Sequence, residues 1–133
     1  MELTIAIAAL IIAWLTYHKT FNKKPDISEE KNNLLGMFRA TKVLHLEVQT
    51  LIQKYIDENN GANHELFPNI TFQQYLNVAK EKYETDFAEF RYEDLRNNKE
   101  YTKSNIESLQ KMFEVQHNDL LLFRNQLLLY LNK

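Results

Sequence analysis

The chain has 133 residues, of which 26% are charged, and its formal net charge is −2. A chain of this length forms one compact domain, and a charge this close to neutral excludes the basic surface with which proteins bind nucleic acid. Cysteine is absent, which excludes disulfides, cysteine-ligated zinc and thiol chemistry. We therefore expect no nucleic-acid partner and a fold without covalent cross-links.

Glycine and proline are scarce, because Gly36, Gly61, Pro25 and Pro68 are the only ones in the chain. A β-sandwich or barrel needs many tight turns, whereas a few long helices need almost none. The composition predicts an all-α protein, and the apolar run near the N-terminus predicts a single transmembrane helix. After this helix, we expect an antiparallel three-helix bundle with coiled-coil-like packing.

The N-terminal segment, residues 1–24, is predicted to be a membrane anchor with a basic juxtamembrane end. Residues 3–17 carry no charge and as a helix would extend about 23 Å, a marginal span for a ~30 Å hydrocarbon core. A cleaved signal peptide is a second interpretation, but it needs positive charge before the apolar run. A third, a buried helix of a soluble protein, would need a surface that covers it on all sides.

The charges that flank this segment predict its orientation. Lysines follow the apolar run, whereas Glu2 and the amino terminus precede it. The positive-inside rule then places the C-terminal domain in the cytoplasm and the N-terminus outside, in a single-pass protein of the cell (inner) membrane. The residues expected at the membrane interface, where the lysines can contact anionic lipid, are Trp14, Tyr17, Lys19, Lys23 and Lys24.

Residues 25–133 are predicted to form the bundle domain, with helices over about 28–58, 71–97 and 104–132. In the first helix, Asp26 or Ser28 can cap the start and Gly61 is expected to end it. Its apolar residues alternate in steps of three and four, the spacing of a heptad seam. That seam comprises Leu34, Met37, Thr41, Leu44, Val48, Leu51 and Tyr55.

The second and third helices also carry one apolar stripe each. Thr71 is expected to cap the second, and Thr102 or Ser104 the third. The stripe of the second is aromatic and is predicted to face the core. It comprises Phe72, Tyr75, Leu76, Ala79, Tyr83, Phe87 and Phe90. Since short connections join the three helices, we expect an up-down-up arrangement.

Two histidines lie on apolar stripes at similar predicted heights in the bundle. His45 lies on the first helix, and Glu114 and His117 form a Glu-x-x-His pair on the third. This spacing occurs in di-iron carboxylate bundles, but those sites need more ligands than the sequence offers. A mononuclear zinc site is conceivable. The simpler interpretation is a polar layer that fixes the register of the helices or responds to pH.

The end of the chain is more apolar than a three-helix bundle requires. Nine of the twelve residues from 120 to 131 are apolar, and Leu122, Phe123, Leu129 and Tyr130 have no obvious cover. We predict that these four residues contact a protein partner or a second copy of the chain. Alternatively, Leu66, Phe67 and Ile70 in the preceding loop fold over them.

The sequence contains no nucleophile–base motif and no glycine-rich phosphate loop, so we predict neither an enzyme nor a bound cofactor. The function that it favours is a membrane-tethered helical interaction or scaffold module that acts through protein–protein contacts. One alternative is a small sensory or regulatory bundle in which a histidine–carboxylate layer binds metal or responds to pH. Another is a membrane-anchored immunity or defence-accessory protein.

Overall fold

The computed structural model describes residues 26–132, together with Ala9, Ile11 and Ile12. Four helices and a short hairpin account for most of this part of the chain, which confirms an all-α bundle. The elements are α1 (Ser28–Asn59), β1 (Glu65–Phe67), β2 (Ile70–Thr71), α2 (Phe72–Asp86), α3 (Glu89–Asn97) and α4 (Lys103–Leu131). Both α1 and α4 begin and end within one residue of the predicted bounds.

The predicted transmembrane anchor lies outside the described residues, apart from Ala9, Ile11 and Ile12. Its expected interface residues, Trp14, Tyr17, Lys19, Lys23 and Lys24, also lie outside them. Within the part of the chain that is described, no helix combines the length and the apolar character that a bilayer crossing requires. The anchor therefore stays a prediction.

Capping boxes fix the starts of α2 and α4. The Thr71 hydroxyl accepts the Gln74 N–H, and the Gln74 side chain accepts the Thr71 N–H in return. Thr102 and Asn105 exchange the same pair of bonds at α4. Each box satisfies two backbone donors that a helix start leaves unpaired, so both predicted threonine caps are confirmed. At α1, by contrast, Ile27 occupies the N-cap position without a side-chain cap bond.

Asn60, and not Gly61, adopts the left-handed conformation that ends α1, with φ 49°. The expectation that Gly61 terminates the helix through its backbone freedom is therefore wrong. Glycine is needed at this position for space, because a Cβ atom there would lie 2.5 Å from Cε1 of Tyr55. Gly61 thus lets the Tyr55 ring pack across the end of the helix.

The second predicted helix, residues 71–97, is interrupted at Phe87 and Ala88. The Phe87 ring is fully buried and packs against Phe38 and His45 at centroid distances of 5.2 and 5.1 Å. After the break, α3 turns Tyr92 and Leu95 into the core and leaves Phe90 exposed. The prediction that Phe90 belongs to the inward stripe is consequently wrong.

The loop between the first and second predicted helices contains a small antiparallel hairpin in which Phe67 pairs with Ile70. Pro68 and Asn69 form its two-residue turn, and Asn69 has a φ of 67°. Proline followed by a left-handed asparagine is the sequence preference of a type II turn. The hairpin directs Phe67 onto α4, where its ring lies 5.6 Å from that of Phe123.

The core consists of two clusters along α1, which contacts every other helix. One cluster lies at the proximal end of the bundle, where α1 begins, and includes Phe38, Phe87 and Phe113. The other lies at the distal end, beside the hairpin, and includes Ile52 and Phe72. Paired contacts show that α4 runs parallel to α1, and that the α2–α3 segment runs antiparallel to it. The contacts between α1 and α4 are Glu30–Lys103 and Tyr55–Tyr130. Those between α1 and the α2–α3 segment are Tyr55–Phe72 and Phe38–Phe87.

Candidate functional site

A groove of about 1460 Å³ runs along the bundle between the α2–α3 segment and α4. It exists because both of these elements pack on α1, while α2 and α4 have few or no Cα atoms within 8 Å of each other. Phe38 and His45 of α1 contribute to its floor. Ring contacts from Tyr75 to Phe123 and from Phe87 to Phe113 bridge its sides. A bundle with three tightly packed faces would have no such opening.

The sides of the groove are apolar and exposed. Five large apolar side chains that line it are each more than half exposed, namely Val78, Phe90, Met112, Val115 and Leu122. A contiguous apolar surface that stays open to water is characteristic of an interaction site. This groove is therefore the strongest candidate for a functional site among the described residues.

Two heptad-spaced stripes on α4 explain how one helix serves both the core and the groove. Its buried residues recur every seven positions, at Ile106, Phe113, Leu120 and Leu127. A second apolar stripe, at Val115, Leu122 and Leu129, has the same spacing and is exposed along its length. Seven residues are nearly two turns, so each stripe keeps to one side of the helix. The groove is thus visible in the sequence as a second stripe.

Charged side chains around the groove give it an acidic excess. Two of the described lining residues are basic, Lys82 and Arg91, and the Arg91 guanidinium donates to the carbonyl of Thr85. Four acidic residues also line it, namely Asp86, Glu93, Asp94 and Asp119. Asp94 lies at the proximal end, where Tyr101 donates a 2.6 Å hydrogen bond to its carboxylate. A cationic ligand would therefore meet a favourable potential along an otherwise apolar surface.

Among the described residues, His45 is the only histidine in the groove lining, and it is buried, with 5% of its surface exposed. Its ring packs against Phe87 at 5.1 Å and lies 6.4 Å from that of Tyr83. Burial and the nearby Lys82 lower the pKa of His45, while Asp86 partly opposes them. The neutral imidazole can accept a hydrogen bond through Nε2, and Gln116 Nε2 lies 3.2 Å from that atom.

The predicted layer of His45, Glu114 and His117 does not form. Gln116 faces His45, whereas His117 borders a shallow cavity of about 390 Å³ with Val43, on another side of the α1–α4 interface. Glu114 is exposed and accepts a hydrogen bond from Gln110. His45 and His117 were predicted at similar heights along the bundle. One position along a helix rotates a side chain by 100°, however, so Gln116 and not His117 faces His45. No group of three or more potential ligands occurs among the residues that the structure describes.

The four residues predicted as a partner interface have different environments. Leu122 and Phe123 line the groove, and Phe123 is half-buried beneath Phe67 and Tyr75. Leu129 is 72% exposed at the distal end. The Tyr130 ring lies 5.8 Å from that of Tyr55. The hairpin therefore covers Phe123, as the alternative interpretation expected, but leaves Leu122 and Leu129 open to solvent.

Comparisons with known proteins give no assignment. No family model matches the sequence, and no curated protein or solved structure matches it significantly. The function is therefore argued from the groove itself.

Proposed function

We propose that the protein is a membrane-tethered helical interaction module whose groove binds one amphipathic helix of a partner protein. The observation that carries this proposal is the open apolar groove between the α2–α3 segment and α4. In this mode of recognition, a helix places apolar side chains at positions i, i+3, i+4 and i+7 into a preformed groove.

The shape of the groove fits a helix better than it fits a compact ligand. Its lining on α4 extends from Leu109 to Gln126, which is about 26 Å of helix or nearly five turns. The α2–α3 segment and α4 both pack on α1 and meet through the Tyr75–Phe123 ring pair, so a helix laid along the groove would add a further helix to the bundle. Such a helix would cover the exposed side chains of Val78, Val115 and Leu122 together.

The charges around the groove define the chemistry of the partner helix. Because acidic residues outnumber basic ones two to one in the lining, basic residues beside the apolar stripe of the partner would be attracted. These contacts are exposed, so they contribute less to affinity than apolar burial does, whereas acidic residues in the same positions of a partner would be repelled. Apolar burial would supply most of the binding energy.

In this proposal, the N-terminal segment determines where in the cell the bundle acts. Residues 1–24 would hold the protein in the cell membrane with the bundle in the cytoplasm, because lysines follow the apolar run and none precedes it. Interaction with the membrane would then occur through lipid, and interaction with the partner through the groove. The sequence-based prediction of partner contacts at Leu122 and Phe123 is compatible with partner binding in the groove, because both residues line it.

A synthetic peptide can test the groove without knowledge of the natural partner. The full chain in zwitterionic lipid nanodiscs would be titrated with a labelled helical peptide that has a leucine stripe flanked by lysines. Glutamate in place of lysine, and a scrambled order of the same residues, provide the peptide controls, and empty nanodiscs report binding to lipid. We expect the lysine peptide to bind at least tenfold more tightly than either control, and less tightly as salt is added.

The protein control is a pair of valines with similar exposure. Val115 lines the groove at 55% exposure, and Val43 lies on the other side of α1 at 64%. Val115→Glu should abolish peptide binding, while Val43→Glu should leave it unchanged. Equal effects of the two variants, or equal binding of the three peptides, would contradict the proposal.

A pH-responsive bundle is a second candidate function, and the environment of His45 is the observation that favours it. The lowered pKa keeps His45 neutral near pH 7, so any response would occur under more acidic conditions. Protonation would place a charge in the floor of the groove and remove the acceptor for Gln116. Peptide titrations at pH 7 and pH 5, with wild type and His45→Gln, would test this candidate. It fails if both proteins show the same dependence on pH.

A further inference from the structure

The groove and the N-terminal apolar segment match each other in length and in chemistry. Residues 3–17 are uncharged and would form a helix of about 23 Å, against about 26 Å of groove lining on α4. As an uncharged and mostly apolar helix, the segment needs cover whenever no bilayer surrounds it. The groove offers an apolar surface of the right length within the same chain.

The connection between the two is short enough to allow this contact. α1 begins at the proximal end, where Lys31 Nζ donates a 2.8 Å hydrogen bond to the Asn98 carbonyl. Asp94 and Tyr101 form the groove lining near the same end. Residues 18–27 therefore need only cross from the start of α1 to this end of the groove. Ten residues can extend over roughly 33 Å, which exceeds the 8–10 Å that separates packed helices.

The charges of the N-terminal segment and of the groove are also complementary. Lys19, Lys23 and Lys24 follow the apolar residues, so they would lie at the proximal end if the segment occupied the groove. Glu93 and Asp94 line the groove near that end. This arrangement pairs lysines with carboxylates and leaves only uncharged residues along the apolar sides.

We propose that the groove holds residues 3–17 before they enter a bilayer, and that membrane insertion vacates it for the partner helix. This inference rests on the proposed function, because it makes partner binding conditional on insertion. Within the segment, the structure describes Ala9, Ile11 and Ile12, and the last two are 54% and 64% exposed. We call the state with an unoccupied groove the open arrangement. A bilayer that takes up the segment favours the open arrangement by its differential affinity for the two states.

Cysteine cross-linking can test this arrangement, because the natural chain has no cysteine. The full chain would be synthesised without lipid or detergent as Ile12→Cys with Val115→Cys, and treated with a short thiol cross-linker. The matched control is Ile12→Cys with Val43→Cys, since Val43 is similarly exposed but lies outside the groove. We expect an intramolecular cross-link to Val115→Cys and not to Val43→Cys. Vesicles of phosphatidylcholine and phosphatidylglycerol, added during synthesis, should reduce it to the level of the control.

A second measurement uses Trp14, the single tryptophan of the chain. Without lipid, its emission should move to longer wavelength when Val115→Glu places a charge in the groove, but not with Val43→Glu. With vesicles, brominated lipid should quench it equally in all three proteins. These readouts need neither the partner nor the peptide, and they use substitutions at exposed positions.

Each result bears on the inference. Equal cross-linking to Val115→Cys and Val43→Cys would indicate non-specific collapse. Cross-links between two chains would identify a second copy as the occupant of the groove. A cross-linking yield unaffected by vesicles would show that the bilayer does not compete with the groove for the segment. Any of these would overturn it. If the peptide binds in nanodiscs but no cross-link forms, the inference fails and the proposed function survives. If the cross-link forms but the peptide never binds, the proposed function fails and the regulatory role fails with it.

Discussion

Gln116 Nε2 lies 3.2 Å from His45 Nε2 across the interface between α1 and α4, below the open groove. The amide can donate this hydrogen bond only to a neutral imidazole, because a protonated ring has no acceptor. The bond and the burial of the ring therefore both favour the uncharged form of His45.

Stability should fall as the pH is lowered below about 6.5. The pKa of His45 in the folded protein is lower than its ordinary value of 6.5, so the folded state binds fewer protons than the unfolded state between these two pKa values. The contribution of neutral His45 to the free energy of unfolding is complete above pH 6.5, and it is lost as the pH falls toward the pKa of His45 in the folded protein. Urea unfolding at pH 7.5 and 5.5 would measure it. His45→Gln should show a smaller loss, and equal losses in both proteins would contradict this account.

Replacing Gln49 with methionine should stabilise the protein by about 1 kcal/mol. Gln49 is buried in α1, and its Nε2 finds no hydrogen-bond partner among the described residues. An apolar side chain of similar size removes that desolvation cost. Gln53→Met is the control, because the Gln53 amide donates to Asp57 and its replacement should change stability by less than about 0.5 kcal/mol. Thermal unfolding of the two variants would show the difference.

The two glycines should respond to alanine in opposite directions. A Cβ atom at Gly36, inside α1, would have no atom within 4 Å, so Gly36→Ala should stabilise the protein by roughly 0.5–1 kcal/mol through helix propensity. At Gly61 the same atom would collide with the Tyr55 ring, so Gly61→Ala should destabilise it. Denaturant midpoints measured side by side would test both signs. A gain at Gly61 would show that Tyr55 does not pack across the helix end.

The two stripes of α4 should separate stability from binding. Leu120→Ala removes a buried side chain and should cost about 2–5 kcal/mol. Leu122→Glu alters an exposed one and should change stability by less than about 0.5 kcal/mol, while it abolishes binding of the lysine peptide. A large loss of stability in Leu122→Glu would indicate that the groove closes in the free protein.

A reporter fused after residue 133 should be active only in its cytoplasmic form. The positive-inside rule predicts this orientation, because lysines occur only after the apolar run of residues 3–17. Replacing Lys19, Lys23 and Lys24 with glutamine should weaken the preference. Activity of a periplasmic reporter in the natural chain would reverse the proposed orientation.

Features set by neighbouring residues were predictable from the sequence. The caps at Thr71 and Thr102 depend on a side chain three positions away, and the stripe of α1 depends only on helical periodicity. The break at Phe87 and Ala88 was not predictable in this way, since no glycine or proline marks it. It results from tertiary packing, which buries the ring of Phe87 beside Phe38 and His45.

The groove was missed for a related reason. The apolar excess around Leu122 was predicted as an interface at the end of the chain, because a three-helix bundle was expected to bury only one stripe on each helix. Whether two helices pack closely depends on residues far apart in the chain, and α2 and α4 have few or no Cα atoms within 8 Å of each other. The heptad-spaced stripe of Val115, Leu122 and Leu129 was the available sign of the exposed side of α4.

The position of α1 has a consequence for how such a protein can evolve. The α2–α3 segment and α4 each pack on α1 and meet through ring pairs such as Tyr75–Phe123 and Phe87–Phe113. An exposed position outside these pairs can change on one side of the groove without a compensating change on the other. Residues such as Val78 and Val115 can therefore vary independently and alter the choice of partner without loss of the fold. Selection for stability would act most strongly on α1, where one substitution disturbs both neighbours.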